Sequence, residues 1–271
     1  MKKDIFNFER FWNYFKFDLK QMWRNHAKPA LFIGGMELML YVIWVLFALI
    51  FTGSWHGPVL PARIALFTVA FTVLELYQTR TYGYLTDKQK GSAWLMIPAS
   101  RMEKFVSMLL ITLIVIPVVF LVVFFAVDSI LSLLDPTVGS SIVAVAMGGF
   151  QEFLDALQSA GGTFFAMSTG SMIAWWLLSL ACNFLFFLLC GICFKRYKIL
   201  GGLGILFLLS IVLSIFVGVT VPAWSENLVY LEESQAVDFV NKTLTIGYCV
   251  LSVITVGLAT GIYYRIKTLK H

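Results

Sequence analysis

Few residues in this chain have the chemistry of a site, and Glu37 leads them. It follows Gly34-Gly35 and lies roughly two helical turns inside an apolar run that begins near Ala30. An ionisable group at membrane depth is costly and faces a bundle interior, a cavity or a partner. One reading of Glu37 is a proton or substrate site. The other, which its shallow depth favours, is a carboxylate that reaches the near interface or pairs there with Arg24 or Lys28. Glu75, late in the next apolar run, is placed to pair with a basic residue, and Asn183, inside a later run, suits an interhelical hydrogen bond or a pore lining. Cys182, Cys190, Cys193 and Cys249 all sit in apolar runs. Cys190 and Cys193 have CxxC spacing without a βαβ pattern around them, so they read as small packing residues. His26, His56 and His271 are scattered, with no metal-ligand spacing. The chain has no GxxxxGK[ST], HExxH or GxSxG motif, so no catalytic residue, metal or cofactor of its own is expected.

The elements that must position these residues are membrane helices. The 271 residues are 59% hydrophobic and 13% charged, against roughly 25% charged in a soluble domain, and mean hydropathy is +0.85. Several apolar runs exceed the ~18 residues that a bilayer span needs. Runs such as LLITLIVIPVVFLVVFFAV do not alternate, which excludes a β-barrel. The expected fold is all-α, with six spans at about 30–52, 62–82, 102–127, 167–194, 200–221 and 244–264. Ser100 and Glu103 make a capping box for the third span, Pro117 bends it, Pro222 stops the fifth, and GGLG (201–204) permits close helix approach.

Charge patterning sets the expected orientation. Lys and Arg number seven before the first span, five after the second, three after the fourth and three in the tail. The other side has only Arg63 and Lys242, so both termini are expected in the cytoplasm. Residues 4–28 are too often interrupted by charge for a signal peptide. Phe8, Phe11, Trp12, Phe15, Leu19, Met22 and Trp23 recur at helical spacing, opposite Glu9, Asn13, Lys16, Lys20 and Arg24. That pattern predicts an amphipathic elbow helix lying in the interface plane. Residues 128–166 and 222–242 are expected as acidic extracytoplasmic loops, with helix-forming pieces in each. No repeat or linker divides the chain, so residues 1–271 read as one domain.

The longest polar, basic segment between two apolar runs is 82–105, YGYLTDKQKGSAWLMIPASRMEKF. Lys88, Lys90, Arg101 and Lys104 surround a small apolar core, 93–97. A basic loop with an apolar face reads as a docking surface: Trp94 and Leu95 as anchors in a pocket, Lys88, Lys90 and Arg101 steering towards an acidic rim. The competing reading makes Trp94 an interfacial anchor of the third span.

Gly91, Leu95, Pro98, Ser100, Arg101 and Lys104 resemble the first cytoplasmic loop of permease subunits of type V ABC exporters, the type 2 ABC-membrane family. The PAS-x-x-EKF form is similar to the branch found in Bacteroides-type bacteria. The resemblance implies a coupling helix at 92–97, within a coupling loop at 83–101, with Lys90, Gly91, Trp94, Leu95, Pro98, Ser100 and Arg101 docking a separate ATPase subunit that holds ATP and Mg. It also implies a second permease copy, identical or paralogous, with the first, second and fifth spans lining their interface. The location would be the bacterial cytoplasmic membrane, the substrate amphipathic (peptide, lipid, drug or lipid-linked glycan), and nucleic acid not a partner. Two other classes stay open: a non-transporting membrane scaffold or immunity protein working through its acidic outer loops, and a proton-coupled carrier using Glu37.

Overall fold

The computed structural model describes residues 6–159, 169–228 and 233–268, and these form helices and short connections with no strand among them. The α-helices are α1 (Phe8–Gly34), α2 (Met36–Thr52), α3 (Leu60–Thr81), α4 (Lys88–Met96), α5 (Arg101–Leu110), α6 (Ile116–Leu134), α7 (Ile142–Ser159), α8 (Thr169–Cys193), α9 (Lys198–Leu228) and α10 (Glu233–Thr268). Four stretches are long and apolar enough to cross a membrane: Leu60–Thr86, Arg101–Leu134, Ile173–Cys193 and Thr245–Thr268. Met36–Thr52 and the apolar start of α9, Lys198–Val212, are shorter, so the first and fifth of the six expected spans fall below that length among the described residues.

The first span is shortened by the position of the helix break. Pro29 lies inside α1, and the chain breaks at Gly35 instead, whose N–H returns to the Leu31 carbonyl at 2.8 Å. Glycine gives way first because it has most backbone freedom to lose. A separate elbow ending at residue 28 is therefore not formed. Asn7 and Arg10 bond Glu103, Asp18 accepts from Ser107, and Gly34 packs against Val123. Between Asn7 and Asp18, α1 advances only from Glu103 to Ser107. From Asp18 to Gly34 it keeps pace with its neighbour, from Ser107 to Val123. Its first turns thus cross the start of α5, and its second half runs beside α6 in the same direction. The predicted polar face is exposed; of the predicted apolar stripe Phe11 and Met22 are buried, joined by Tyr14 and Asp18, while Phe8, Trp12 and Trp23 are exposed.

The contacts divide the chain into two compact units where composition alone reads as one domain. In the first, residues 1–81 and 96–154, an aromatic cluster joins α3 to α6. Phe67 meets Phe124 edge-on at 5.1 Å and Phe125 at 5.6 Å, and Phe71 meets Phe120 at 5.9 Å. Each such pair contributes about 0.5–1.5 kcal/mol beyond its burial. Pro117 has no N–H for the fourth carbonyl before it and its ring crowds that carbonyl, Leu113. A π-helical segment, Ile111–Val115, accommodates both effects, so the bend predicted from Pro117 appears as a widened turn between α5 and α6.

In the second unit, residues 82–95 and 155–271, α8 packs on α9 and α10. Trp175 meets Tyr248 edge-on at 5.1 Å. At Gly201 an added Cβ would come within 2.9 Å of the Phe194 ring in the connection before α9, and at Gly202 one would come within 3.5 Å of Cys190 and Phe187 on α8. Pro222 does not stop α9, which continues to Leu228, because one lost donor is a local defect in a helix of 31 residues. Residues 160–166 and 229–232 of the predicted outer loops, with His271, lie outside the described residues.

Candidate functional site

A buried ionic cluster joins α2, α3 and α6. One turn into α3, Arg63 is fully buried, and its Nη1 donates to Asp128 Oδ1 on α6 at 2.5 Å. Its Nη2 donates to the Ser140 carbonyl at 2.6 Å, and the second Asp128 oxygen accepts from the Ile142 N–H at 2.6 Å. Glu37 faces this pair, close enough to interact with both charges, and is itself fully buried. As an anion it has no donor for either oxygen among the described residues, and the Arg63 Nε has no acceptor. Two carboxylates can hydrogen-bond each other only when one carries a proton.

This corrects the expectation that Glu37 pairs near Arg24 or Lys28. Because α1 runs on to Gly34 beside Val123, Glu37 opens a new helix near Asp128, far along the span from Ser100. Arg24 is exposed, and the Lys28 side chain lies outside the described residues. Arg63 and Asp128 escaped the sequence reading, which placed one as an outer cation and the other in an acidic loop. The available signal was their position: opposite charges at the ends of two apolar runs, where an unpaired charge is expensive.

A second polar knot follows directly. Asp135, at the end of α6, accepts from Tyr41 Oη at 2.8 Å, Trp55 Nε1 at 2.9 Å, and Thr137 N and Oγ1 at 2.9 and 2.7 Å. Thr137 Oγ1 in turn accepts from the Gly57 N–H at 2.8 Å, so the knot fastens the α2–α3 connection to the end of α6. Burial alone would raise the Asp135 pKa, but the hydrogen bonds from Thr137, Trp55 and Tyr41 outweigh it and hold it at about 2. A carboxylate whose folded pKa is depressed stabilises the fold above its unfolded value, here 3.8, and loses that stabilisation as pH falls towards the folded value. The melting-temperature gap between wild type and Asp135→Asn is therefore expected to hold constant from neutral pH down to about 4 and to close below it. Thermal unfolding in detergent across that range checks it.

The basic loop is built from a short 3₁₀ turn, Gly83–Thr86, followed by α4. Lys198, at the start of α9, donates to the Gly83 carbonyl and, at 2.9 Å, to Thr86 Oγ1. Within the loop, Lys90, Pro98 and Arg101 are exposed, Leu95 is half-buried, and Gly91 and Ser100 are buried. Trp94 is only 3% exposed, whereas Met96 is 83% exposed. The predicted aromatic anchor is thus occupied within the chain, and the apolar tip is Met96.

Ser100 and Glu103 form the predicted capping box. Glu103 also takes Arg10 Nε and Nη2 and the Asn7 N–H, which ties the start of α1 to the start of α5. Beside that tie, Asn7, Arg10, Asn13, Tyr14, Ile97 and Pro98 help line a cavity of about 410 Å³. Glu75 is half-buried on α3 and Asn183 is exposed on α8, and each has an interaction partner. No family model, curated protein or solved structure matches the chain.

Proposed function

We propose that the chain is the membrane-spanning permease subunit of an ATP-driven exporter, working with a separate ATPase. The observation that carries this reading is the loop between two apolar runs. It holds a short helix with Gly91 and Leu95, then Pro98, the capping Ser100 and exposed Arg101, in the order of the exporter loop it resembles, and Lys90 and Met96 are exposed beside them. The basic side chains suit an acidic rim on a partner, and Met96 suits an adaptable apolar pocket. Lys198 fastens the turn before α4 to α9, so displacement of α4 by a closing ATPase would pull on α9. Read this way, α1 with α2 makes the first crossing and α9 the fifth. Six crossings then place both termini on the Lys- and Arg-rich cytoplasmic side of a bacterial inner membrane. Two such bundles, with ATP and Mg held in the partner, would pass an amphipathic substrate between them.

The test is purification in mild detergent with mass spectrometry of co-purifying proteins, for wild type and for Lys90→Glu/Arg101→Glu. Both changed side chains are exposed, so the fold is retained. A P-loop ATPase is expected with wild type and lost with the double variant. Its retention by the variant would move the docking site but keep the exporter reading. Its absence from crosslinked wild type at good yield would sink the reading. The buried Glu37 cluster favours one alternative, a proton-coupled carrier, which transport driven by a proton gradient without ATP would select.

A further inference from the structure

We propose that Glu37, Arg63 and Asp128 form a proton-binding site, holding one proton between the two carboxylates while α2 is packed on α3 and α6 and releasing it when α2 moves away. Arg63 and Asp128 neutralise each other across a 2.5 Å hydrogen bond, and Asp128 is further held as an anion by the Ile142 N–H. Glu37 is the unmatched third charge. All three residues are fully buried. An ionised carboxylate there, without a donor and beside another anion, carries the full desolvation penalty.

Among the described residues no other charge compensates it. From α3 comes Arg63, already paired, and from α6 comes Asp128, an anion. The last turn of α1 offers no basic residue. The segment after α6 offers the Ser140 carbonyl and the Ile142 N–H, both already bonded. Tyr41, one turn along α2, is bonded to Asp135. A neutral Glu37 can instead donate its O–H to Asp128. When α2 shifts away, that proton passes to water, and the new Glu37 anion is solvated by water in place of Asp128. One proton is taken up and one released, with no other reactant. This inference goes beyond the exporter reading and stands without it.

The test treats the full-length protein in detergent with dicyclohexylcarbodiimide, which attacks protonated carboxyls in apolar surroundings, and maps adducts by peptide mass spectrometry. An adduct on Glu37 is expected, falling as pH rises and unchanged by sodium, with Asp128 unmodified. The infrared spectrum supplies a second readout: a protonated-carboxyl C=O band present in wild type and absent from Glu37→Gln. That variant mimics the neutral acid and is expected to elute as wild type on size exclusion. The band decides the matter where the reagent does not reach the site. Absence of the band from folded wild type would overturn the proposal. So would labelling that sodium blocks and pH leaves unchanged, since that marks a metal-cation site.

Discussion

Replacing Arg63 with Met will lower the melting temperature of the purified protein more than Asp128→Asn does, and Arg63→Met/Asp128→Leu will recover most of the loss. Arg63→Met removes two hydrogen bonds and leaves Asp128 as a buried anion held by one backbone N–H and facing Glu37. Removing one partner of a buried pair costs about 3–5 kcal/mol, because the other charge stays buried and uncompensated. Asp128→Asn is milder. It leaves an acceptor for Arg63, and Glu37 can then ionise and take the Arg63 charge. The double replacement removes both charges and leaves Glu37 a neutral acid, and exchanging a whole buried pair for apolar residues is often neutral. Thermal unfolding of the four proteins in one detergent measures this. A double variant no more stable than Arg63→Met would mean that the ion pair is not what holds α3 to α6.

Much of the fold could be read from local signals. The capping box at Ser100 and Glu103 appears as read, since both halves lie within one turn and need nothing from elsewhere. The perturbation at Pro117 also appears, because a missing donor acts on its own helix. The expectations that failed depended on distant neighbours. Gly35 breaks the chain where Pro29 does not, a choice made by how α1 lies beside α6, and that moves Glu37 from one end of the span towards the other. Arg63 and Asp128 are 65 residues apart in sequence, and neither position alone announces a pair. Trp94 has the composition of a docking anchor, and only the fold shows its ring buried.

That burial separates two residues that look alike in sequence. Trp94→Ala is expected to destabilise the protein by about 3–5 kcal/mol, the usual consequence of truncating a buried aromatic. Limited proteolysis should show it first, as faster cutting at Lys88 and Lys90 on the helix that carries Trp94, along with a lower melting temperature. Met96→Ala should leave both measurements near wild type, since an exposed substitution typically changes stability by less than about 0.5 kcal/mol. Under the proposed exporter function, its effect should appear only in recovery of the proposed ATPase partner, where losing a flexible apolar tip weakens capture. Trp94→Ala reduces recovery too, but by disordering the helix that presents Met96. If Trp94→Ala keeps its melting temperature and its resistance to protease while losing the ATPase, the ring is an external anchor and the buried placement of Trp94 does not describe the working protein. If Met96→Ala alone loses the partner, the docking face of α4 is the one centred on Met96. The charge reversals at Lys90 and Arg101 then test the rim around it.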